Sequence, residues 1–148
     1  LMRKIRAVAA KDLRAYGHSS QTYGLIHADL VPENVMLVGD DVQLIDFDDA
    51  GFGWHMFELA TALFWLREEP DYATIESALF TGYTEERPLS QMDLDALPLF
   101  MVLRGLTYLG WVHTRQNTET ARELTPLFVE IVCDIASSYL AKPDKTRV

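Results

Sequence analysis

The sequence predicts an α+β fold, mostly α-helical, in which a short antiparallel β hairpin interrupts a succession of helices. Three observations predict it. Apolar residues recur at helical spacing near the start, as Ile5, Val8, Ala9, Leu13 and Tyr16, and again from Trp54 onward. Between these stretches lie short runs of β-forming residues, at Tyr23–Ile26, Val35–Val38 and 42–45. Gly39-Asp40-Asp41 joins the last two runs, and Gly and Asp tolerate the left-handed backbone of a tight turn. With 148 residues, 49% of them apolar, the chain can build a core without disulfides or structural metals, and no linker or repeat divides it. One domain spanning 1–148 is expected.

Taken in order, the first helix ends at Gly17, and the polar residues 18–22 form a loop. Phe57, Ala60, Thr61, Phe64 and Trp65 share one face of a helix that starts near Trp54 and is closed by Pro70. A further helix is expected over 71–83. Ser90 with Asp93 reads as a capping box that opens a helical region through Arg115, and Pro98 is expected to break or kink it near Leu97. The last helix, 120–140, is expected to turn Leu124, Leu127, Phe128, Ile131, Ile135 and Tyr139 inward, with Cys133 a buried thiol. Trp54, Trp65, Trp111 and Tyr108 read as core, and His18, His55 and His113 as surface or core residues without metal-ligand spacing.

Charge narrows the function. Thirteen Lys and Arg stand against 22 Asp and Glu, a net charge of −9, which argues against nucleic-acid binding. The first 16 residues carry five basic residues and one acidic, so the remainder is strongly acidic; the basic residues interleave with apolar ones as on a solvated helix face. No secretory signal is visible. The longest apolar stretch, 97–112, contains Pro98 and Arg104 and falls short of the roughly 20 residues a membrane span needs. A soluble, cytoplasmic protein is expected, and the single cysteine fits a reducing compartment.

The chemistry concentrates in residues 25–53, LIHADLVPENVMLVGDDVQLIDFDDAGFG. His27-x-Asp29 follows an apolar strand, Asn34 lies five residues on, and Asp46 ends the next hairpin. Magnesium is a hard cation, held by one or two carboxylates together with substrate phosphates. Asn34 and Asp46 offer one neutral and one charged oxygen, and a hairpin between them would set them side by side. Asp29 is then available to accept or orient a hydroxyl proton. The order Asp, five residues to Asn, hairpin, Asp is the arrangement of phosphoryl transfer by kinases.

HADLVPEN followed by LIDFDDAGFGWHMFELA resembles the catalytic half of the aminoglycoside phosphotransferase and choline kinase superfamily, particularly its homoserine-kinase-like and stress-response Ser/Thr kinase-like members. The resemblance covers 23–63. It implies a protein-kinase-like C-terminal lobe whose hairpin carries the catalytic loop, with ATP as phosphoryl donor and Mg2+ as cofactor. Asp29 would be the catalytic aspartate, while Asn34 and Asp46 would be the metal and nucleotide ligands. His27 would brace the loop, and Glu58 would hold it from the first turn of its helix. Asp48 and Asp49 either assist metal or acceptor or cap the loop. Where family members often carry His, Gly and Asp, this chain has Val31, Glu33 and Glu58, and the charge of Glu33 beside the metal amide bears on acceptor preference.

Such kinases also need a lobe that covers the phosphates and a strand lysine that pairs them. Here Lys4, Lys11, Lys142 and Lys145 all lie in terminal segments. The expectation is a lobe lacking its ATP-gripping N-terminal partner, inactive in isolation, whose uncovered apolar face favours homo-oligomers. The acceptor is expected to be a hydroxyl-bearing small molecule, with protein Ser/Thr as the other option; the acidic body favours a cationic one. Two imitations fit less well. A D-x-D phosphatase loop would want Gly-Thr after the pair, where Asp49-Ala50 stand. A calcium loop would want ligands at Ala50 and Phe57. The remaining alternative is a non-catalytic binding or scaffold module that retains an idle kinase site.

Overall fold

A computed structural model describes residues 1–143, so Lys145 lies outside the described residues. The first helix, α1 (Met2–Tyr16), buries Ile5, Ala9, Asp12 and Tyr16, which recur every three or four residues, and leaves Arg3, Lys4, Arg6, Lys11 and Arg14 exposed. Strand β1 (Tyr23–Ile26) follows, then the hairpin of β2 (Val35–Val38) and β3 (Asp41–Leu44). Its turn is Gly39-Asp40, with Gly39 at φ 65, a conformation in which a side chain would clash with its own backbone.

Strand β4 (Gly51–Trp54) was not foreseen. It pairs antiparallel with β1, Tyr23 opposite Trp54 and Ile26 opposite Gly51, so the β structure is two separate two-stranded sheets, not one hairpin. Two glycines among four residues hide the strand from propensity. Helix α2 (His55–Phe64) follows at once, then α3 (Tyr72–Glu86), α4 (Gln91–Thr114) and α5 (Glu119–Ala141).

The chain packs as two compact units, one formed by Leu1–Gly17 with the chain from Pro98 onward, the other by His18–Leu97. In the first, Ile5, Ala9, Leu99, Val102, Ala136 and Tyr139 form a buried core shared by α1, α4 and α5. The Tyr16 ring meets Phe100 edge to face, with centroids 5.2 Å apart. Asp12, only 2% exposed, accepts a hydrogen bond from the Tyr139 hydroxyl at 2.8 Å, tying α1 to α5. Tyr139→Phe removes this charge-assisted bond and is expected to destabilise the protein by about 1.5–3 kcal/mol in urea unfolding.

The helices correct several expectations. The Ser90–Asp93 box forms, with Ser90 N–H donating to Asp93 Oδ2 at 2.7 Å and Asp93 N–H to Ser90 Oγ at 3.2 Å. Helix α4 nevertheless runs through Pro98 unbroken. A proline forfeits one hydrogen bond of the helix, and burial of Leu97, Leu99 and Phe100 around it offsets that loss. In α5 the buried stripe is Ala121, Phe128, Val132, Ala136 and Tyr139, while Leu127 is exposed and Leu124, Ile131 and Ile135 are half-buried, so the inward face is rotated from the expected one. Cys133 is half-buried, as are Trp54, Trp65 and Tyr108, and Trp111 is exposed. By length and composition α5 is apolar enough to cross a membrane, which the uninterrupted-stretch criterion misses; it carries Glu123, Glu130 and Asp134 along its length and commits Ala136 and Tyr139 to the core.

Candidate active site

The unit formed by His18–Leu97 holds every residue of the expected site. Strand β1 delivers the chain to His27, and Ala28 then adopts φ 66, a left-handed conformation that costs an alanine about 1 kcal/mol. Glu58, in the first turn of α2, accounts for its persistence. Its carboxylate accepts from His27 N–H through Oε1 at 2.5 Å and from Ala28 N–H through Oε2 at 2.9 Å. One half-buried anion thus satisfies two backbone donors and pins the reversal of direction before Asp29.

His27, 5% exposed, acts on the other side of the loop. Its Nε2 lies 2.8 Å from Ile45 O, and because a carbonyl only accepts, Nε2 carries the proton. Nδ1 is buried without a hydrogen-bond partner among the described residues. The ring lies 4.5 Å from that of Phe47, so His27 braces the loop against the residues on both sides of Asp46.

Beyond Asp29 the chain is stitched by Val31 N–H to Asp29 O (2.8 Å) and Asn34 N–H to Val31 O (2.9 Å), through the 3-10 turn Pro32–Asn34. Asn34 is buried, and its Nδ2 donates to Asp29 O at 2.9 Å and to Asp29 Oδ2 at 3.3 Å. Committing the amide nitrogen in this way fixes the side-chain flip and leaves Oδ1 as the amide's acceptor atom. Pairing of the hairpin extends one step past Val35–Leu44, because Ile45 N–H donates to Asn34 O at 3.1 Å. Asp46 follows immediately at φ 63. Asn34 and Asp46, twelve apart in sequence, therefore leave the hairpin as backbone neighbours.

The donor set is small. Among the described residues no three His, Cys, Asp or Glu side chains gather closely enough to hold a metal unaided. An amide oxygen and one carboxylate instead suit a hard divalent cation that draws its remaining ligands from water and substrate phosphates. Glu33 is exposed, two places before β2. Asp48 and Asp49 are exposed in the turn closed by Ala50 N–H to Phe47 O (3.0 Å), and they precede β4, not a helix, so neither caps one.

The sequence shows neither the cavity behind the loop nor which element carries the expected uncovered apolar face. Behind the loop lies a cavity of about 310 Å3, lined among others by His27, His55, Glu58, Tyr83 and Arg87; burial pushes the Tyr83 phenol up, Arg87 opposing and Glu58 and Asp93 adding to it. The hairpin is also exposed on both faces: Leu37 is 76% exposed on one and Met36 46% on the other, and Leu25, Phe47 and Phe52 are exposed apolar side chains as well. The same region carries a charge asymmetry. Between Arg14 and Arg67 there is no Lys or Arg, whereas there are eight Asp and Glu.

Comparison with known proteins agrees with this geometry. Residues 2–89 match the model of the phosphotransferase enzyme family. A homoserine kinase of Rhodopseudomonas palustris is 42% identical over 90 residues, covering 58% of this chain and 28% of that protein. An amicoumacin kinase of Bacillus subtilis is 30% identical over 121 residues, covering 76% of this chain and 36% of that protein. The solved structure of a microcompartment-associated aminopropanol kinase superposes with a TM-score of 0.82 at 29% identity, covering 94% of this chain and 44% of that one. An amicoumacin kinase solved in complex with AMP-PNP, Ca2+ and Ami shares the fold, with a TM-score of 0.70 at 24% identity. The chain spans about a third of the length of the curated relatives it matches. With the loop, the hairpin and the family match in agreement over the same residues, this chain belongs to the phosphotransferase enzyme family.

Proposed function

We propose that the chain supplies the acceptor-activating and metal-holding part of an ATP-dependent kinase acting on a hydroxyl of a small molecule. The observation that supports this reading is the Asn34 amide bonded to the Asp29 carboxylate, with the backbone of Asp46 one residue past the Ile45–Asn34 hydrogen bond. Asp29 orients the acceptor hydroxyl and takes its proton. Asn34 Oδ1 and Asp46 would hold Mg2+, whose charge neutralises the phosphates of the donor when bound. The absence of any Lys or Arg from 15 to 66 supports a division of labour, in which cations that grip the polyphosphate come from a second lobe outside these residues. That lobe would cover the exposed hairpin face. A hairpin of two short strands is marginal in water by itself, so an apolar cover would stabilise it.

The amine-bearing compounds named in the relatives' descriptions (homoserine, aminopropanol) support an amino alcohol as acceptor, and the local excess of carboxylates favours a cation. The test of the metal reading is a Mn2+ titration followed by NMR. Broadening centred on Asn34 and Asp46, abolished in Asp46→Ala, is expected; broadening spread over the acidic surface would sink it. A panel of hydroxyl compounds assayed with the chain in a transfer-competent preparation then identifies the acceptor. In isolation the 148-residue chain is expected to bind Mg-ATP weakly and to associate through the hairpin face, giving a concentration-dependent mass in light scattering that Leu37→Asp reverses. A clean monomer at high concentration would contradict this.

A further inference from the structure

We propose that His55 is a positioning residue for the loop 27–29, forming with Glu58 a clamp that grips β1 at both ends. Glu58 holds the far end of the strand through the His27 and Ala28 amides. One turn earlier on the same helix, His55 holds the near end. It is 7% exposed, and its backbone N–H donates to Thr22 O at 3.0 Å. Its Nδ1–H donates to Gln21 O, also at 3.0 Å. The ring lies flat enough on β1 that a Cβ at Gly24 would come 2.7 Å from Nε2, and the Arg87 guanidinium stands 3.3 Å from Nδ1 on the other side. A glycine in mid-strand costs conformational entropy, and here it makes room for an imidazole.

The physical content is a lever of fixed length. Residues 21–22 and 27–28 are the two ends of β1, and residues 55 and 58 are one helical turn apart on α2. With both ends fastened, the strand cannot slide relative to the helix, so the left-handed Ala28 and the direction of Asp29 after it are set. With the imidazole gone, the near end of β1 keeps only its ladder with β4 and the residue-55 amide bond to Thr22 O, and Glu58 must hold an energetically unfavourable conformation on a less firmly seated strand. Importance for chemistry rests on the reading of 27–29 as the catalytic loop; the clamp itself does not.

Amide hydrogen exchange on the full 148-residue chain tests it. In His55→Leu, protection of the His27 and Ala28 amides is expected to fall by roughly tenfold or more, with α1 and α5 unchanged. His55→Asn, whose Nδ2 can donate to Gln21 O, should restore protection and also the Mn2+ broadening at Asn34 that the leucine variant weakens. If His55→Leu does not fold, Gly24→Ala serves instead, because its methyl displaces the ring while keeping every polar group. Unchanged exchange at His27 and Ala28 in the leucine or Gly24→Ala variant, or an asparagine variant no better than leucine, overturns the clamp. Absence of Mn2+ broadening in the unsubstituted chain instead counts against the metal reading and leaves the exchange result to decide the clamp.

Discussion

Asp29→Ala is expected to lower phosphoryl transfer by about two to four orders of magnitude in a transfer-competent preparation, while leaving the fold intact. The two halves of that expectation have separate causes. The carboxylate would be the group that takes the acceptor proton, so its loss falls on the transition state. On the structural side, the 3.3 Å bond from Asn34 Nδ2 to the carboxylate is long, and the 2.9 Å bond from the same nitrogen goes to the Asp29 carbonyl, which alanine keeps. Initial rates with a fixed acceptor and thermal melts of both proteins check it together. Asp29→Asn sharpens the test, since it preserves size and hydrogen bonding but accepts no proton. Turnover within tenfold of the parent would remove Asp29 from the reaction.

Glu58→Ala should cost the unit His18–Leu97 about 3 kcal/mol, as much as truncating a buried core side chain. It abolishes two charge-assisted hydrogen bonds at once and leaves the His27 and Ala28 amides without acceptors. It also releases a non-glycine residue held at φ 66, which returns toward an extended backbone once nothing opposes it. Glu58→Gln should recover about half, because an amide oxygen accepts one N–H while its NH2 faces the other. Urea unfolding measures both, and a cost under about 0.5 kcal/mol for the alanine variant would show that the carboxylate is not what holds the loop.

The resemblance in 23–63 and the family match agree, and periodicity located all five helices to within a few residues. The reason is locality. Helical spacing, a Gly-Asp turn and a Ser–Asp box express their preference within one or two turns of chain, so they are written where they act. The hairpin joining Asn34 to Asp46 belongs to the same class, since its register follows from a two-residue turn.

What the sequence concealed depends on residues far apart in it. Strand β4 exists because β1 offers it a partner, and Gly53 fits there because a Cβ would collide with Ile26 Cδ1. The inward face of α5 was misjudged because Leu127 and Phe128 are equally apolar, and only the position of α1 and α4 determines which is covered. Pro98 likewise does not end α4, which continues through it. His55 shows the limit most plainly: alone it is one histidine among four, and its partners at Gln21, Gly24 and Arg87 are assembled by the fold. Short-range chemistry was legible in the amino-acid order, whereas the burial and hydrogen bonding that make it rigid arise from contacts thirty residues apart, whose free energy exists only once the chain has closed on itself.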